Sequence, residues 1–337
     1  QTAGVRVVMI TGDYPATARA IAAQAGIAGD QVMTGSELDA LDDASLAACI
    51  REISVFARVL PEQKLRIVQA LKAVGEIVAM TGDGVNDAPS LKAAHIGIAM
   101  GKRGTDVARE ASAIVLLDDD FSAIPAAMRL GRRIYDNLRK AMGFIFAVHV
   151  PIGGLALAPL ITGWPIILGP VHIALLEMVI DPVCSLAFEA EPEERDVGRR
   201  PPRDPDGVLF PRRLLLWSVI QGFIATVLLV CLAAWMQSSE PEAARTTVFA
   251  ALVASVLVLV VINRTFGATG GLRGLRGNLS LAVLLLFILA FFALLFGVPA
   301  FAGMFRFAPI DTGGLMSAAL VATGLAITLS LIKLRFR

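Results

Sequence analysis

Cysteine is scarce, and the few present do not pair by spacing. The chain of 337 residues has three, Cys49, Cys184 and Cys231, widely separated and without a CxxC pair. That argues against a disulfide framework, and two of the three lie in apolar runs. A dense basic patch is also missing: 30 Lys and Arg stand against 29 Asp and Glu, a net charge of +1. Nucleic acid is therefore not an expected partner. No internal repeat or low-complexity tract is evident, and neither a start methionine nor a signal-peptide pattern opens the chain. Gln1 leads almost directly into the apolar VRVVMI, so the sequence reads as a piece beginning inside a domain. Charge is unevenly spread. Most acidic residues precede position 140 or fall in 189–206, and the long apolar runs carry almost none.

What is present divides in two. Up to about residue 140, short β-like runs alternate with helical stretches. The strand candidates are Val5–Ile10, Val55–Val59, Ile77–Thr81, Ile96–Met100 and Ile114–Leu117, and Pro61–Val74 reads as a helix with proline at its favoured first position. Such alternation predicts an α/β fold, a parallel sheet covered by helices, with ligands at the carboxyl ends of the strands. The sequence there is polar and glycine-rich: TGD at 11–13 and TGDGVND at 81–87.

The whole chain is 56% hydrophobic, more than an ordinary soluble enzyme carries, and after about residue 141 its texture changes to long apolar runs. Six apolar runs, 141–161, 166–188, 214–236, 246–263, 279–300 and 314–332, are each near the ~20 residues that cross a bilayer. The first two are interrupted by Pro151, Pro159, Pro170 and Pro182. Arg195, Arg199, Arg200, Arg203, Arg212 and Arg213 lie between runs two and three. Arg264, Arg273 and Arg276 lie between runs four and five, and Lys333, Arg335 and Arg337 end the chain. The opposite loops hold only Arg245 and Arg306, so the basic-residue count places both termini and the α/β half on the cytoplasmic side. The proline-rich, charged stretch 189–206 reads as a solvated connector.

The strongest chemical signal is TGDGVNDAPSLKAA at 81–94. Asp83 and Asp87, four residues apart beside a glycine-containing turn, suit a hard cation such as Mg²⁺, which takes few protein carboxylates and keeps waters and phosphate oxygens. Taken alone, a DG pair is a polar turn and Lys64 a solvated helix lysine; the run of motifs in order points further. Within the second apolar run, His172, Glu177 and Asp181 are ionisable groups at a depth where such groups are costly and by default functional. Glu177 and Asp181 share a helix face, and Pro182 withdraws a backbone bond next to them, so the helix is expected to open and offer carbonyls.

TGDGVNDAP resembles the hinge motif of P-type cation-transporting ATPases, a branch of the haloacid-dehalogenase-like hydrolases. MITGD at 9–13, FARVLPEQK at 56–64, the segment 96–124 and GRRIYDNLRKAM at 131–142 are similar to that family in the same order, and the likeness runs to about residue 203. The resemblance implies a partial haloacid-dehalogenase-like, Rossmann-like domain followed by an all-α membrane bundle of six helices. Residues 1–121 would be the C-terminal part of a cytosolic phosphorylation domain, 122–142 a connecting helix and 143–337 the membrane domain. It further implies ATP as substrate, Mg²⁺ as cofactor, a lipid bilayer, a transported cation and the N-terminal region of the same protein as partners, and the plasma membrane as location. Asp83 would be the principal Mg²⁺ ligand, with Asp87 and Asn86 supporting the metal and the phosphorylation site. Thr11 and Gly12 would hydrogen-bond the phosphoryl group, Asp13 would support their loop, and Lys64 would neutralise developing charge.

The departures are as informative. The family's nucleophile is the aspartate of DKTGT, which forms an aspartyl-phosphate, and no DKTG occurs here. Asp118, Asp119 and Asp120 lie in another matched segment and do not replace it. In calcium-pumping relatives the helix aligned with Glu177 and Asp181 carries Asn and Asp, and the preceding span adds a glutamate. Here that span, FIFAVHVPIGG, has His149 and no carboxylate. A two-calcium mechanism does not fit; one divalent cation, a proton-coupled variant or an uncommon substrate stay open. His149 is read as a ligand or lining residue of the ion path, and Cys184, without the CPC pair of heavy-metal pumps, as packing. The competing readings are a non-catalytic membrane module, a split pump needing an N-terminal partner chain, and a membrane-anchored phosphatase.

Overall fold

The computed structural model describes residues 1–29, 31–266 and 278–335. Arg273, Arg276 and Arg337, used above for orientation, lie outside the described residues, as does the side chain of Cys184. The chain forms two compact units: residues 1–129 with 196–207, and residues 130–195 with 208–337.

In the first unit, β1 (Met9–Ile10), α1 (Pro15–Gln24), β2 (Val32–Thr34), α2 (Gly35–Ala40), α3 (Asp43–Cys49), β3 (Val55–Ala57) and α4 (Pro61–Ala73) come first. Then follow β4 (Ala79–Gly82), α5 (Ala88–Ala93), β5 (Ile96–Met100), α6 (Asp106–Glu110) and β6 (Ile114–Leu116). The strands form two parallel three-stranded sheets, ordered β1-β3-β2 and β4-β5-β6. The expected first strand, Val5–Ile10, pairs only over Met9–Ile10, because its partner β3 starts at Val55. The strand β2 was not expected from the sequence; it is three residues long and pairs with β3 from Val32↔Val55 to Thr34↔Ala57. Helix starts are chemically specified. Thr34 accepts from the Glu37 N–H and Glu37 returns a bond to the Thr34 N–H, while Asp42 caps α3 through the Ser45 N–H. Leu38, Leu46, Phe56, Ile67, Leu91 and Ala99 belong to one core, so α4 and α5 cover residues of both sheets with a common apolar layer.

The 40-residue helix α7 (Ala123–Thr162) runs through Pro151 and Pro159 without a break. The second unit continues with α8 (Pro170–Pro182), α9 (Arg212–Trp235), α10 (Pro241–Asn263), α11 (Leu279–Gly297), the short α12 (Pro299–Met304) and α13 (Thr312–Arg335). Among the described residues six helices are long and apolar enough to cross a membrane. Prolines are tolerated in such helices where neighbours satisfy the freed backbone groups. The helix does not unwind at Pro182, as the sequence suggested. It passes into a wider π-helical turn over Val183–Phe188. Between apolar helices, association rests on packing and interhelical hydrogen bonds. Gln221 of α9 and Asn263 of α10, both buried, exchange amide bonds of 2.8 and 3.3 Å.

The stretch 189–206 is exposed along most of its length, as expected of a solvated connector, but not throughout. Val197 and Glu191 are buried. The Glu191 carboxylate meets Arg264 through two 3.0 Å bonds and accepts a third, at 2.9 Å, from Asn278. Asn278 also caps α11 through the Leu281 N–H and donates to the Ala187 carbonyl in the π turn. Asn137 of α7 donates to the Glu191 carbonyl, and buried Lys140 pairs with Glu194 at 2.7 Å. A charge placed in a proline-rich, polar stretch thus enters the interior because a guanidinium and an amide satisfy its oxygens. Breaking such a pair leaves an uncompensated buried charge, whereas replacing both partners by apolar groups does not. Arg264→Met is expected to lower stability by about 3–5 kcal/mol, and Glu191→Leu with Arg264→Met to recover most of it. Thermal unfolding of the detergent-solubilised protein measures both.

Candidate functional site

Three motif segments meet at the carboxyl ends of β1, β3 and β4, and direct bonds chain them together. The Thr11 N–H donates to the Phe56 carbonyl at 2.9 Å, Val59 N–H donates to the Thr11 carbonyl at 3.1 Å, and Arg58 N–H donates to the Asp13 carbonyl at 3.0 Å. The TGD loop is thereby strapped to the chain that leaves β3. Inside the loop, the Thr11 hydroxyl donates to Asp13 and accepts the Asp13 N–H, so Asp13 orients Thr11. Arg58 holds a left-handed backbone, φ 54°, with its guanidinium over the Tyr14 ring.

The next link is ionic. Lys64, in the first turns of α4, places Nζ 2.7 Å from Asp87 Oδ1, with side-chain exposures of 23% and 9%. The other Asp87 oxygen accepts from the Asp83 and Gly84 N–H groups at 3.3 and 3.2 Å. Asp87 is therefore engaged on both oxygens and folds the 82–87 turn around itself. Gly82 is required for this: a methyl group there would lie 2.6 Å from Asp87 Cβ. Asp83, in contrast, is exposed, and its backbone carbonyl is held by the Thr105 N–H at 2.9 Å. Asn86 is exposed on the short 3₁₀ turn Val85–Asp87. An exposed carboxylate on a fixed turn, whose neighbour Asp87 is paired with a lysine, fits a hard cation. The sequence pattern identified these residues together; it did not show that Asp87 would be spent on Lys64 and the turn. Lys102 and Arg103 N–H groups bind Asp119, so that part of the Asp118–Asp120 run is occupied in holding its own loop.

In the second unit the expected ion-path residues divide. His149 of α7 and Glu177 of α8 approach, with Nε2 3.8 Å from Oε1. Asp181 is exposed, one turn beyond Glu177. Among the described residues no three His, Cys, Asp or Glu side chains converge as a metal-binding group. His172 is buried and structural: its Nδ1 accepts the Gly169 N–H at 3.0 Å and its Nε2 donates to the Phe305 carbonyl at 2.8 Å. Phe249 and Phe307 pack against its ring.

A parallel α/β unit with polar, glycine-rich turns at its strand ends, followed by six membrane-length helices among the described residues, is the makeup of a membrane-embedded member of the haloacid-dehalogenase-like hydrolases. Residues 1–95 match the haloacid dehalogenase-like hydrolase family, and residues 165–335 match the family described as "Cation transporting ATPase, C-terminus". The chain belongs to the P-type cation-transporting ATPases. It is 38% identical to the "Probable cation-transporting ATPase F" of Mycobacterium tuberculosis (strain ATCC 25618 / H37Rv), over 98% of this chain and 37% of that protein. It is 49% identical to the "Calcium-transporting ATPase 1" of Bacillus cereus (strain ATCC 10987 / NRS 248), over 62% of this chain and 24% of that protein. It is 39% identical to the "Cation-transporting ATPase pma1" of Synechocystis sp. (strain ATCC 27184 / PCC 6803 / Kazusa), over 92% of this chain and 35% of that protein. The chain thus spans about a third or less of the length of these curated relatives.

The geometry makes Gly82 the most restrictive small residue of the site. Gly82→Ala is expected to force Asp87 away from the turn and to cost about 1–3 kcal/mol. Hydrogen exchange at the Asp83 and Gly84 amides, which lose their Asp87 acceptor, is the measurement; unchanged protection contradicts the packing described.

Proposed function

We propose that the intact protein is an ATP-driven cation pump that works through an aspartyl-phosphate. This chain would supply the residues that support Mg²⁺ and phosphate, together with part of the ion path. The observation that carries the reading is the Lys64–Asp87 ion pair, which joins the TGDGVND turn to the lysine motif, whose strand end is in turn bonded to the Thr11 loop. Thr11 and Gly12 would bond the phosphoryl oxygens, with Asp13 holding the loop. Lys64 would neutralise charge developing on the transferred group, while Asp83 would be the open Mg²⁺ ligand. Asp87 would act through the turn and through Lys64 more than as a direct ligand, and Asn86 would support the same end of the site. Bound Mg²⁺ would supply charge neutralisation at the phosphoryl oxygens.

The sheet order supports a nucleophile supplied by another part of the protein. Among the described residues β1 and β4 each pair along one edge only. A further parallel strand between them would join the two sheets. Its carboxyl end would fall beside Thr11, Lys64 and Asp83, where an attacking aspartate is needed. In the membrane unit, Glu177, Asp181 and His149 would contribute to the transported-ion site, with the π turn after Pro182 giving an irregular backbone where such sites are built. The α/β unit and both termini would face the cytoplasm, in the plasma membrane. Glu177 within reach of His149 favours transport over a membrane-anchored phosphatase, for which acids within a span have no use.

Two outcomes are expected. With labelled ATP the intact protein forms an acid-stable, hydroxylamine-sensitive adduct, and the isolated chain, which has no DKTG, forms none; an adduct on the isolated chain contradicts the assignment. In reconstituted vesicles, Glu177→Gln and Asp181→Asn raise the cation concentration needed for ATPase activation. Wild-type cation dependence in both variants removes these residues from the ion path.

A further inference from the structure

We infer that the ion site takes a first-row transition-metal divalent cation of the Co²⁺–Zn²⁺ kind in preference to Ca²⁺, and that His149 is the ligand that sets this preference. The inference rests on the transport reading above and concerns the chemistry of the same site.

The orientation of the His149 ring carries the argument. Its Nδ1 lies 2.8 Å from the Ile145 carbonyl, one helical turn back. A carbonyl oxygen can only accept, so Nδ1 bears the proton. In the neutral form of the ring the lone pair is then on Nε2, and Nε2 is the atom that faces Glu177 Oε1 at 3.8 Å. Metal-binding histidines are typically held in this way, with the second ring N–H spent on a backbone carbonyl or carboxylate, which fixes the tautomer and leaves the other nitrogen bare. His172, five residues before Glu177 on the same helix, shows the contrast: both of its nitrogens are used in structural bonds.

The separation of Nε2 and Oε1 is too long for a direct hydrogen bond. Two ligands on one tetrahedral ion at ~2.1 Å lie roughly 3.4 Å apart, close to the gap observed. Side-chain exposures of 52% for His149 and 39% for Glu177 leave both groups room to close it. The pair supplies one nitrogen and one oxygen. Further ligands would be water, backbone carbonyls near Pro182, which has no N–H to give the Met178 carbonyl, and groups from the rest of the intact protein.

The donor set decides the class of ion. Ca²⁺ is bound by six to eight oxygens, and a neutral imidazole nitrogen is a poor substitute for any of them. Imidazole with carboxylate suits the later first-row divalent ions, whose affinity for nitrogen rises toward the end of the series. An asparagine or glutamate at position 149 would offer oxygen and favour Ca²⁺; histidine does the reverse.

The test uses the intact protein in reconstituted vesicles, with ATPase activation titrated by free Co²⁺, Zn²⁺ and Ca²⁺, and Co²⁺ binding followed by its visible ligand-field absorption in detergent. Wild type is expected to be half-activated by Co²⁺ or Zn²⁺ at a concentration at least about tenfold below that for Ca²⁺. His149→Asn should reduce that ratio about tenfold or more and alter the Co²⁺ spectrum, while thermal unfolding confirms that the variant is folded. Ca²⁺ as the better wild-type activator, or an unchanged ratio and spectrum in folded His149→Asn, overturns the inference. Failure of the transport reading looks different: no divalent cation activates the wild type, or Glu177→Gln leaves every titration unchanged.

Discussion

The ion pair between Lys64 and Asp87 is the contact on which the candidate site of the α/β unit depends. Lys64 belongs to the helix that follows β3, and Asp87 to the turn that follows β4, so the two motifs come from different sheets. Asp87 also gathers the Asp83 and Gly84 N–H groups, and the absence of a side chain at Gly82 makes room for it. One carboxylate therefore positions a lysine, fixes a turn and turns Asp83 outward. The TGD loop joins the assembly through backbone bonds to Phe56, Arg58 and Val59.

The membrane unit manages polar groups in two contrasting ways. Several polar groups are closed off in structural bonds: Glu191 by Arg264 and Asn278, Gln221 by Asn263, His172 by two backbone groups. The π turn lies between these regimes, its Ala187 carbonyl tied to Asn278 at one end and the Glu177–Asp181 face at the other. At His149 and Glu177 the partners approach without bonding. An acid and an imidazole left open on membrane-length apolar helices are costly, which is why the pair is proposed as part of an ion site.

Much of this could be read from the residues. The six apolar runs, the strand Ile96–Met100 and the helix beginning at Pro61 carry strong local signals, and the structure places them within a few residues of expectation. The motif residues could be named because their order along the chain is distinctive. What could not be read depended on partners distant in sequence. The strand β2 is three residues with no alternation to betray it, and it exists through pairing with β3. Glu191 sits among prolines and charges, and its burial depends on Arg264 and Asn278, both far along the chain. Nor does proline alone say whether a helix breaks: Pro151 and Pro159 are carried within α7, while Pro182 precedes a change of helical pitch. The division of labour between Asp83 and Asp87 is likewise a matter of which hydrogen bonds form, which spacing does not encode.

The most direct test of the account is the rate of phosphoenzyme formation in the intact protein across a double-mutant cycle of Lys64→Met and Asp87→Asn. If the two residues assemble the site as a unit, each single variant slows phosphorylation and the double variant is little slower than either, a strongly non-additive cycle. Additive losses, or a wild-type rate in either single variant, would contradict the claim that this ion pair builds the site.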